Sequence, residues 1–455
     1  MTPRRLLFPP LLIPILFFGL AILIGSRLLV LPLCLAGGEV LSWTDALFTA
    51  ASATCVTGLT VVDTGTVFSP FGKGVIVVLI QVGGLGIMSL TSLAMYLFRQ
   101  RVSLTDRIAV GQNLLQDARF HLGRFLLQIV GYTLGLELVG AVLLFICTGG
   151  EMRFPAALFH SISAFCNAGF SLYGDSLSRW VDDVAFNLVM MGLIILGGIG
   201  FFVMTDVSRW LTIRIKTRGK PPRPLLGWYS SVVLRTTFFL VVVGALAIFC
   251  AEWVVRRHDQ SLQTALLASF FQSVTCRTAG FNTVPIGELT NVTLLLMMML
   301  MFIGAAPGSC GGGIKVTTYR VLTAFLRAEL RNRDQAVIGR MAASREAVRR
   351  ALSLFAFSVF IIVTAILVLS ISETGALAHT QARGRFLEIA FEVVSAFGTA
   401  GISMGLTPQL SLFGKYVIIV LMFIGRLGPL IFVGALHTLQ RREAFSRPDS
   451  DLLIG

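Results

Sequence analysis

Four glycines, Gly58, Gly169, Gly280 and Gly401, follow one another at offsets of 111, 111 and 121 residues. Ten residues before each stands a phenylalanine: Phe48, Phe159, Phe270 and Phe391. A bulky apolar residue comes directly after (Leu59, Phe170, Phe281, Ile402), then a small polar one (Thr60, Ser171, Asn282, Ser403). A single loop of this kind reads as a helix-packing glycine. Four in register, with a shared phenylalanine and room between them for a membrane hairpin, make the chain a fourfold repeat.

What each unit folds into is bounded by how little charge there is. Of 455 residues 55% are hydrophobic and 13% charged, with a mean hydropathy of +0.83, too few charges to cover a soluble domain of this size. Apolar runs near the roughly 20 residues needed to cross a bilayer recur at about 8–34, 69–98, 122–148, 184–210, 229–252, 288–319, 350–371 and 410–439. The first runs too long and starts too late for a signal peptide. A net charge of +14 raises the question of nucleic acid. With the N-terminus inside, however, about 25 Lys and Arg fall on the inner face and about 10 outside. That bias orients a multi-pass protein of the plasma (inner) membrane with both termini cytoplasmic, in contact with lipid and not nucleic acid. The seven cysteines have no metal-ligand spacing and read as small apolar packing residues.

The expected fold is an all-α polytopic membrane protein of four span-pore-span repeats around a pseudo-fourfold axis, with eight transmembrane helices and four re-entrant pore loops. Between the spans of a unit lies an apolar segment too short to cross, such as residues 43–53, which must enter and return. Backbone of that kind survives at membrane depth only when protein or a water-filled path surrounds it. The repeats occupy residues 1–98, 122–210, 229–319 and 350–439. Cytoplasmic linkers fall at 99–121, 211–228 and 320–349, with a tail at 440–455.

No acidic side chain is common to the four loops, so the groups they can turn inward are backbone carbonyls. A carbonyl ring replaces the hydration shell of a desolvated monovalent cation, and glycine supplies the backbone angles this requires. Preceding short helices aim their negative ends, each equivalent to about half a charge, at the same place. The second span of the third repeat is interrupted by Gly304-Ala305-Ala306-Pro307-Gly308-Ser309-Cys310-Gly311-Gly312-Gly313, which cannot hold a continuous helix. An unwound segment there must line the pathway and can occlude it. The matching stretches Gly83-Gly84-Leu85-Gly86 and Gly197-Gly198-Ile199-Gly200 are expected to be helical. Arg426 stands where Gly84 and Gly198 stand in their repeats, and at the bilayer centre it is expected to face the pathway and find carbonyls or a carboxylate, the alternative being that it snorkels to the cytoplasmic headgroups. Lys315 either shares that role or snorkels to the inner headgroups. Glu137 is a mid-span acid, either a partner for a buried cation or satisfied by neighbouring helices. Arg277 meets either ions or the carbonyls behind the loop.

At these loops the sequence resembles the Trk/Ktr/HKT superfamily of potassium transporters, through Val56-Thr57-Gly58-Leu59, Asn167-Ala168-Gly169-Phe170, Arg277-Thr278-Ala279-Gly280-Phe281-Asn282-Thr283 and Gly398-Thr399-Ala400-Gly401. It lacks two N-terminal spans of the bacterial Trk branch and so is similar to the membrane subunit of the Ktr type. The resemblance implies potassium uptake through a selectivity filter at Val56, Thr57, Gly58, Asn167, Ala168, Gly169, Thr278, Ala279, Gly280, Thr399, Ala400 and Gly401. It also implies a gate made of residues 304–313 with Lys315 and Arg426. Plant relatives that prefer sodium carry serine where Gly58 stands, so Gly58 fits the potassium pattern. Further implications are potassium as substrate at the filter carbonyls with no covalent cofactor, sodium as an activating or coupling ion, a homodimer with a tail contact at Asp451-Leu452-Leu453-Ile454-Gly455, and control by a cytoplasmic ring of nucleotide-binding RCK subunits.

No nucleotide-binding Gly-x-x-x-x-Gly-Lys run is present, and no histidine or acidic cluster supports an enzyme. The competing readings are a sodium-selective member of the same superfamily and an alternating-access symporter, which would use inverted repeats around two broken helices. An assembly subunit of an ion-pumping ATPase is the third.

Overall fold

The computed structural model describes residues 12–99, 122–216, 226–255, 261–375, 377–378 and 380–428. Residues 100–121 of the linker expected over 99–121, the proline-rich stretch 217–225 and everything from 429 on, including the tail at 440–455, lie outside the described residues. Helices α1 (Leu12–Leu29), α2 (Trp43–Cys55) and α3 (Pro70–Arg99) come first, then α4 (Leu122–Cys147), α5 (Phe154–Phe165), α6 (Val184–Gly198) and α7 (Phe201–Lys216). They are followed by α8 (Trp228–Phe249), α9 (Leu262–Thr275), α10 (Asn291–Phe302) and α11 (Val316–Glu329), and finally by α12 (Arg345–Glu373), α13 (Arg385–Gly398) and α14 (Leu412–Leu427). A two-strand antiparallel hairpin, β1 (Val337–Ile338) with β2 (Met341–Ala342), sits between α11 and α12, and the Trp228 indole N–H donates to its Ile338 carbonyl at 2.9 Å.

Sequence sets where these helices start. Ser42, Ser261, Thr290, Ser344 and Ser411 each accept, through the side-chain oxygen, the backbone N–H three residues on, at 3.0 to 3.3 Å. Such caps contribute about 1 kcal/mol each by satisfying an N–H the helix cannot. Two of them carry a second tie. Glu252, after α8, accepts from the N–H and hydroxyl of Thr290 at 2.8 Å, and Glu373, at the end of α12, accepts from the N–H and hydroxyl of Ser411 at 3.1 and 2.5 Å. The two ties lie 121 residues apart, the offset that separates Gly280 from Gly401.

Among the described residues three helical stretches are long and apolar enough to cross a membrane: Leu127–Cys147, Trp228–Val254 and Arg345–Glu373. Their outward faces expose Leu134, Leu138, Phe238, Phe360 and Leu367, as a lipid-facing helix would. By contrast α13 is buried continuously from Ile389 to Gly398 and α2 from Ala46 to Cys55. Short helices whose ends leave polar backbone unpaired are thus kept away from the surface, as an apolar solvent demands.

The stretch over 184–210, expected to run as one helix, does not. It breaks at Ile199-Gly200, and α6 and α7 meet at 109°. Gly200 takes φ +84°, the Phe201 N–H is satisfied by the Gly308 carbonyl at 3.1 Å, and a Cβ on Gly200 would lie 2.8 Å from the Pro307 carbonyl oxygen. Irregular backbone from the third repeat therefore supplies the bond that the interrupted helix gives up. Gly197-Gly198-Ile199-Gly200 is a helix end and turn.

Elsewhere glycines in α3, α6 and α14 let these helices lie on the ends of the short buried ones. A Cβ on Gly83 would overlap the Thr54 carbonyl, one on Gly197 the Phe165 carbonyl and one on Gly425 the Phe397 carbonyl. Each of these carbonyls belongs to the residue four before a repeat glycine. Gly197→Ala is expected to cost about 1 to 3 kcal/mol, as overpacking against backbone does, and to lower the thermal unfolding midpoint of the detergent-solubilised protein. Gly131→Ala, where a Cβ would meet nothing within 4 Å, should stay within about 0.5 kcal/mol of the parent in the same assay.

Candidate functional site

The four repeat glycines meet. A Cβ on Gly58 would lie 2.6 Å from the Ala168 carbonyl oxygen, one on Gly169 2.8 Å from that of Ala279, and one on Gly280 3.1 Å from that of Ala400; on Gly401 it would overlap the Thr57 carbonyl. Each loop leans on the carbonyl just before the next loop's glycine, and the fourth returns to the first. The contacts close a ring of backbone with no space for a side chain at any of the four positions. All four glycines take positive φ, between +71° and +99°.

The residue two before each glycine also lies in the left-handed region, with φ 55° at Val56, 60° at Asn167, 75° at Thr278 and 49° at Thr399. Sequence reasoning missed this, because Val and Thr carry no sign of it. Such backbone costs on the order of 1 to 3 kcal/mol per residue and persists only where its surroundings over-determine it. Here the short helices do so. Thr57, Ala168 and Ala400 donate their N–H to the carbonyls of Ser52, Ser163 and Ser395 at 2.7 to 2.8 Å, and Ala279 donates to Thr275 at 2.9 Å. The Ser52 hydroxyl accepts from the Gly58 N–H at 3.1 Å, while Ser163 and Thr275 donate to the carbonyls of Phe170 and Phe281 at 2.9 and 2.6 Å. All twelve residues singled out from sequence in these loops are buried, and none is charged. What they can offer a ligand is oxygen dipoles, and each follows the C-terminal end of a helix, so the local potential favours a cation.

Residues 303–315 lie against this ring and join other parts of the chain. Ala306 and Cys310 donate their N–H to Gly198 and Gly197 carbonyls at 3.0 and 3.1 Å, and Gly313 donates to Gly425 at 3.3 Å. Gly312 N–H donates to the Thr399 hydroxyl at 3.0 Å. The ends of the stretch pair with each other, with Gly304 N–H on the Ile314 carbonyl at 2.8 Å.

Arg426, 2% exposed, donates to the Gly83 carbonyl at 2.7 Å and to the Cys310 carbonyl. Of the two partner types expected for it, the described residues supply carbonyls. It links the interrupted stretch to α3 across the molecule. Lys315 turns back on the same stretch, with Nζ on the Gly311 carbonyl at 2.7 Å. Arg277 donates to the Thr237 and Gly304 carbonyls at 3.3 and 3.4 Å, holding the third loop to α8 and to the start of the interruption. Glu137 accepts from Gln81 at 2.6 Å and from the Cys166 thiol at 3.6 Å, and the contacts seen at its carboxylate are polar side chains.

Two further residues belong to the site and escaped the sequence reading. Nine positions before their glycines, His160 and Glu392 both reach the serine that follows: His160 Nε2 lies 3.2 Å from the Ser171 hydroxyl, and Glu392 accepts from Ser403 at 2.9 Å and from Thr407. The only signal was a titratable residue inside an apolar short helix, repeated at one register. Outside the buried ring, Arg179 lies 4.4 Å over the Tyr173 ring and pairs with Asp175 at 3.0 Å. That carboxylate hydrogen bond pushes its pKa up, so it stays charged.

Comparison with known proteins gives this geometry a family. The TrkH family, described as cation transport protein, matches residues 23–436. The chain belongs to the TrkH family of cation transport proteins. It is a membrane protein of that family, 40% identical to Ktr system potassium uptake protein B of Bacillus subtilis (strain 168) over 98% of this chain and 97% of that one. It is 36% identical to potassium/sodium uptake protein NtpJ of Enterococcus hirae over 99% and 98%. In fold it is similar to the crystal structure of the potassium transporter TrkH from Vibrio parahaemolyticus, with a TM-score of 0.73, 21% identity and coverage of 96% and 86%. For this TrkH-family chain, Gly401→Ala is expected to remove at least about nine-tenths of cation uptake into proteoliposomes, since the methyl lands on the Thr57 carbonyl and a positive φ is lost. Gly19→Ala, with nothing within 4 Å of the added Cβ, is the control expected to keep it.

Proposed function

We propose that this chain carries potassium inward across the plasma membrane through a filter of backbone carbonyls, gated by residues 304–313 with Lys315 and Arg426. The observation that carries the reading is the closed cycle of contacts among Gly58, Gly169, Gly280 and Gly401. A ring of uncharged carbonyls suits a monovalent cation that must shed its water, and offers nothing to an anion. In this reading the four units are span-pore-span repeats about a pseudo-fourfold axis. The eight spans then comprise α1, α3, α4, α8, α12 and α14, the broken pair α6 and α7, and the interrupted pair α10 and α11. The repeat and linker boundaries are those given from sequence, both termini are cytoplasmic, and the charge-rich part of α11 beyond residue 319 and the β1–β2 hairpin face the cytoplasm.

Immediately below such a ring, a segment held by Gly197, Gly198, Gly425 and Arg426 obstructs the path while those bonds last. Membrane potential supplies the driving force, about 2.3 kcal/mol per charge per 100 mV, enough to concentrate potassium tens-fold. Sodium as an activating or coupling ion, a homodimer, and a cytoplasmic RCK-type nucleotide-binding ring complete the proposal. The Ktr-named relative is the support for the Ktr-type reading.

A second reading, mixed potassium and sodium uptake, is favoured by the likeness to NtpJ, whose name gives both ions. Gly58→Ser separates them. Its side chain would press on the Ala168 carbonyl, and the rubidium-to-sodium flux ratio into proteoliposomes should fall on the order of tenfold, the equivalent of about 1.4 kcal/mol in differential binding. An unchanged ratio would sink potassium selectivity at this ring. Separately, Arg426→Ala and deletion of residues 308–313 should each raise rubidium flux. A folded deletion variant that conducts no faster than the parent would remove the gate from the proposal.

A further inference from the structure

The interrupted stretch does more than lie beneath the ring, because two of its glycines are shaped to the filter itself. A Cβ on Gly311 would overlap the Thr278 hydroxyl and lie 3.2 Å from Thr278 Cβ, and one on Gly312 would overlap the Thr399 hydroxyl and lie 2.8 Å from its Cγ2. Gly312 also donates its N–H to Thr399 Oγ1 at 3.0 Å, and the next residue, Gly313, donates to Gly425. Thr278 and Thr399 are the left-handed residues two before their glycines, at φ 75° and 49°, a conformation that a β-branched residue holds only under constraint. Thr278 in turn has its hydroxyl 3.2 Å from the amide of Asn167, the left-handed residue of the second loop. With the amide turned so that its oxygen accepts from Thr278, its nitrogen reaches the Ala164 and Ile194 carbonyls at 3.0 and 3.1 Å. The chain of contacts runs from the interrupted stretch to three of the four filter loops: directly to the third and fourth, and through Asn167 to the second.

We propose that Thr399 and Thr278 are positioning residues that latch residues 311–312 to the base of the filter, so that release of the stretch also relaxes the strained backbone that aims the filter carbonyls. The proposal rests on the reading of residues 304–313 as a gate. Its consequence is that gate and filter are one mechanical unit: a substitution in the stretch, touching no conducting carbonyl, alters which ion passes as well as how fast. A plain plug beneath a rigid filter would alter only the rate.

The test is rubidium and sodium flux in proteoliposomes of the full chain. Thr399→Val keeps shape and removes the acceptor, while Gly312→Ala leaves the filter sequence intact and drives its methyl against Thr399. Each is expected to raise rubidium flux about two- to tenfold, the population shift that one hydrogen bond supplies. Gly312→Ala is also expected to lower the rubidium-to-sodium ratio, and Thr399→Ser, which keeps the hydroxyl, to raise flux less than Thr399→Val. The double variant should conduct no faster than the faster single one, since both break the same contact.

The latch is overturned if deletion of 308–313 raises flux but neither single substitution does, if the double variant is additive, or if Gly312→Ala raises flux at an unchanged ratio. If the deletion itself fails to raise flux in folded protein, the gate reading falls first and takes the latch with it. Should Thr399→Val assemble but conduct nothing, Gly312→Ala alone decides: raised flux with a lowered ratio upholds the latch, and parental flux rejects it.

Discussion

The contact on which the structure depends is backbone against backbone. At Gly58, Gly169, Gly280 and Gly401 the Cα of one loop meets the carbonyl of the next, and a single methyl at any of them would displace its neighbour. Holding four irregular loops that close together requires short helices to fix their angles, and those helices end in carbonyls that lipid cannot satisfy. Burial of α2 and α13 follows from that, and so do the glycines of α3, α6 and α14 that let longer helices seat on the carbonyls of Thr54, Phe165 and Phe397.

The backbone after the third glycine loop departs from that after the first, and this departure organises what lies beside the ring. Where α3 runs on as helix, residues 303–315 unwind, and N–H groups among them are spent on Gly197, Gly198, Gly425 and the Thr399 hydroxyl. Breaking α6 from α7 at Gly200 belongs to the same arrangement, because the Gly308 carbonyl takes the Phe201 N–H. Arg426 completes it with carbonyls of Cys310 and Gly83. A buried guanidinium bound to neutral dipoles is a weaker compensation than an ion pair, and removing it leaves carbonyls freed rather than a stranded opposite charge. That asymmetry suits the gate proposed for residues 304–313.

Glycine register and apolar runs made the kinship of the four glycine loops, the positive φ of the four glycines and the interruption over residues 304–313 readable from sequence, since each rests on what a residue cannot do in lipid. The left-handed Val56, Thr278 and Thr399 were not readable. They take that conformation because the carbonyls of Ser52, Thr275 and Ser395 in the preceding helices hold the N–H that follows each of them, and intrinsic preference points the other way. Gly200 was equally opaque: its break depends on a carbonyl more than a hundred residues later in the chain. His160 and Glu392 announced themselves as polar residues in apolar helices, but only the fold shows both reaching the serine beyond their glycine. The partners of Glu137, Gln81 in α3 and Cys166 just past the end of α5, follow from packing alone.

Anomalous scattering from crystals of the full chain grown in rubidium tests the ring most directly. Rubidium peaks should lie on the axis enclosed by the carbonyls of Thr57, Ala168, Ala279 and Ala400, and should weaken when sodium replaces rubidium in the crystal. A ring without rubidium density, with peaks instead at a side-chain site such as the Glu137 and Gln81 pair, would mean that the four loops brace the fold and that ions travel elsewhere.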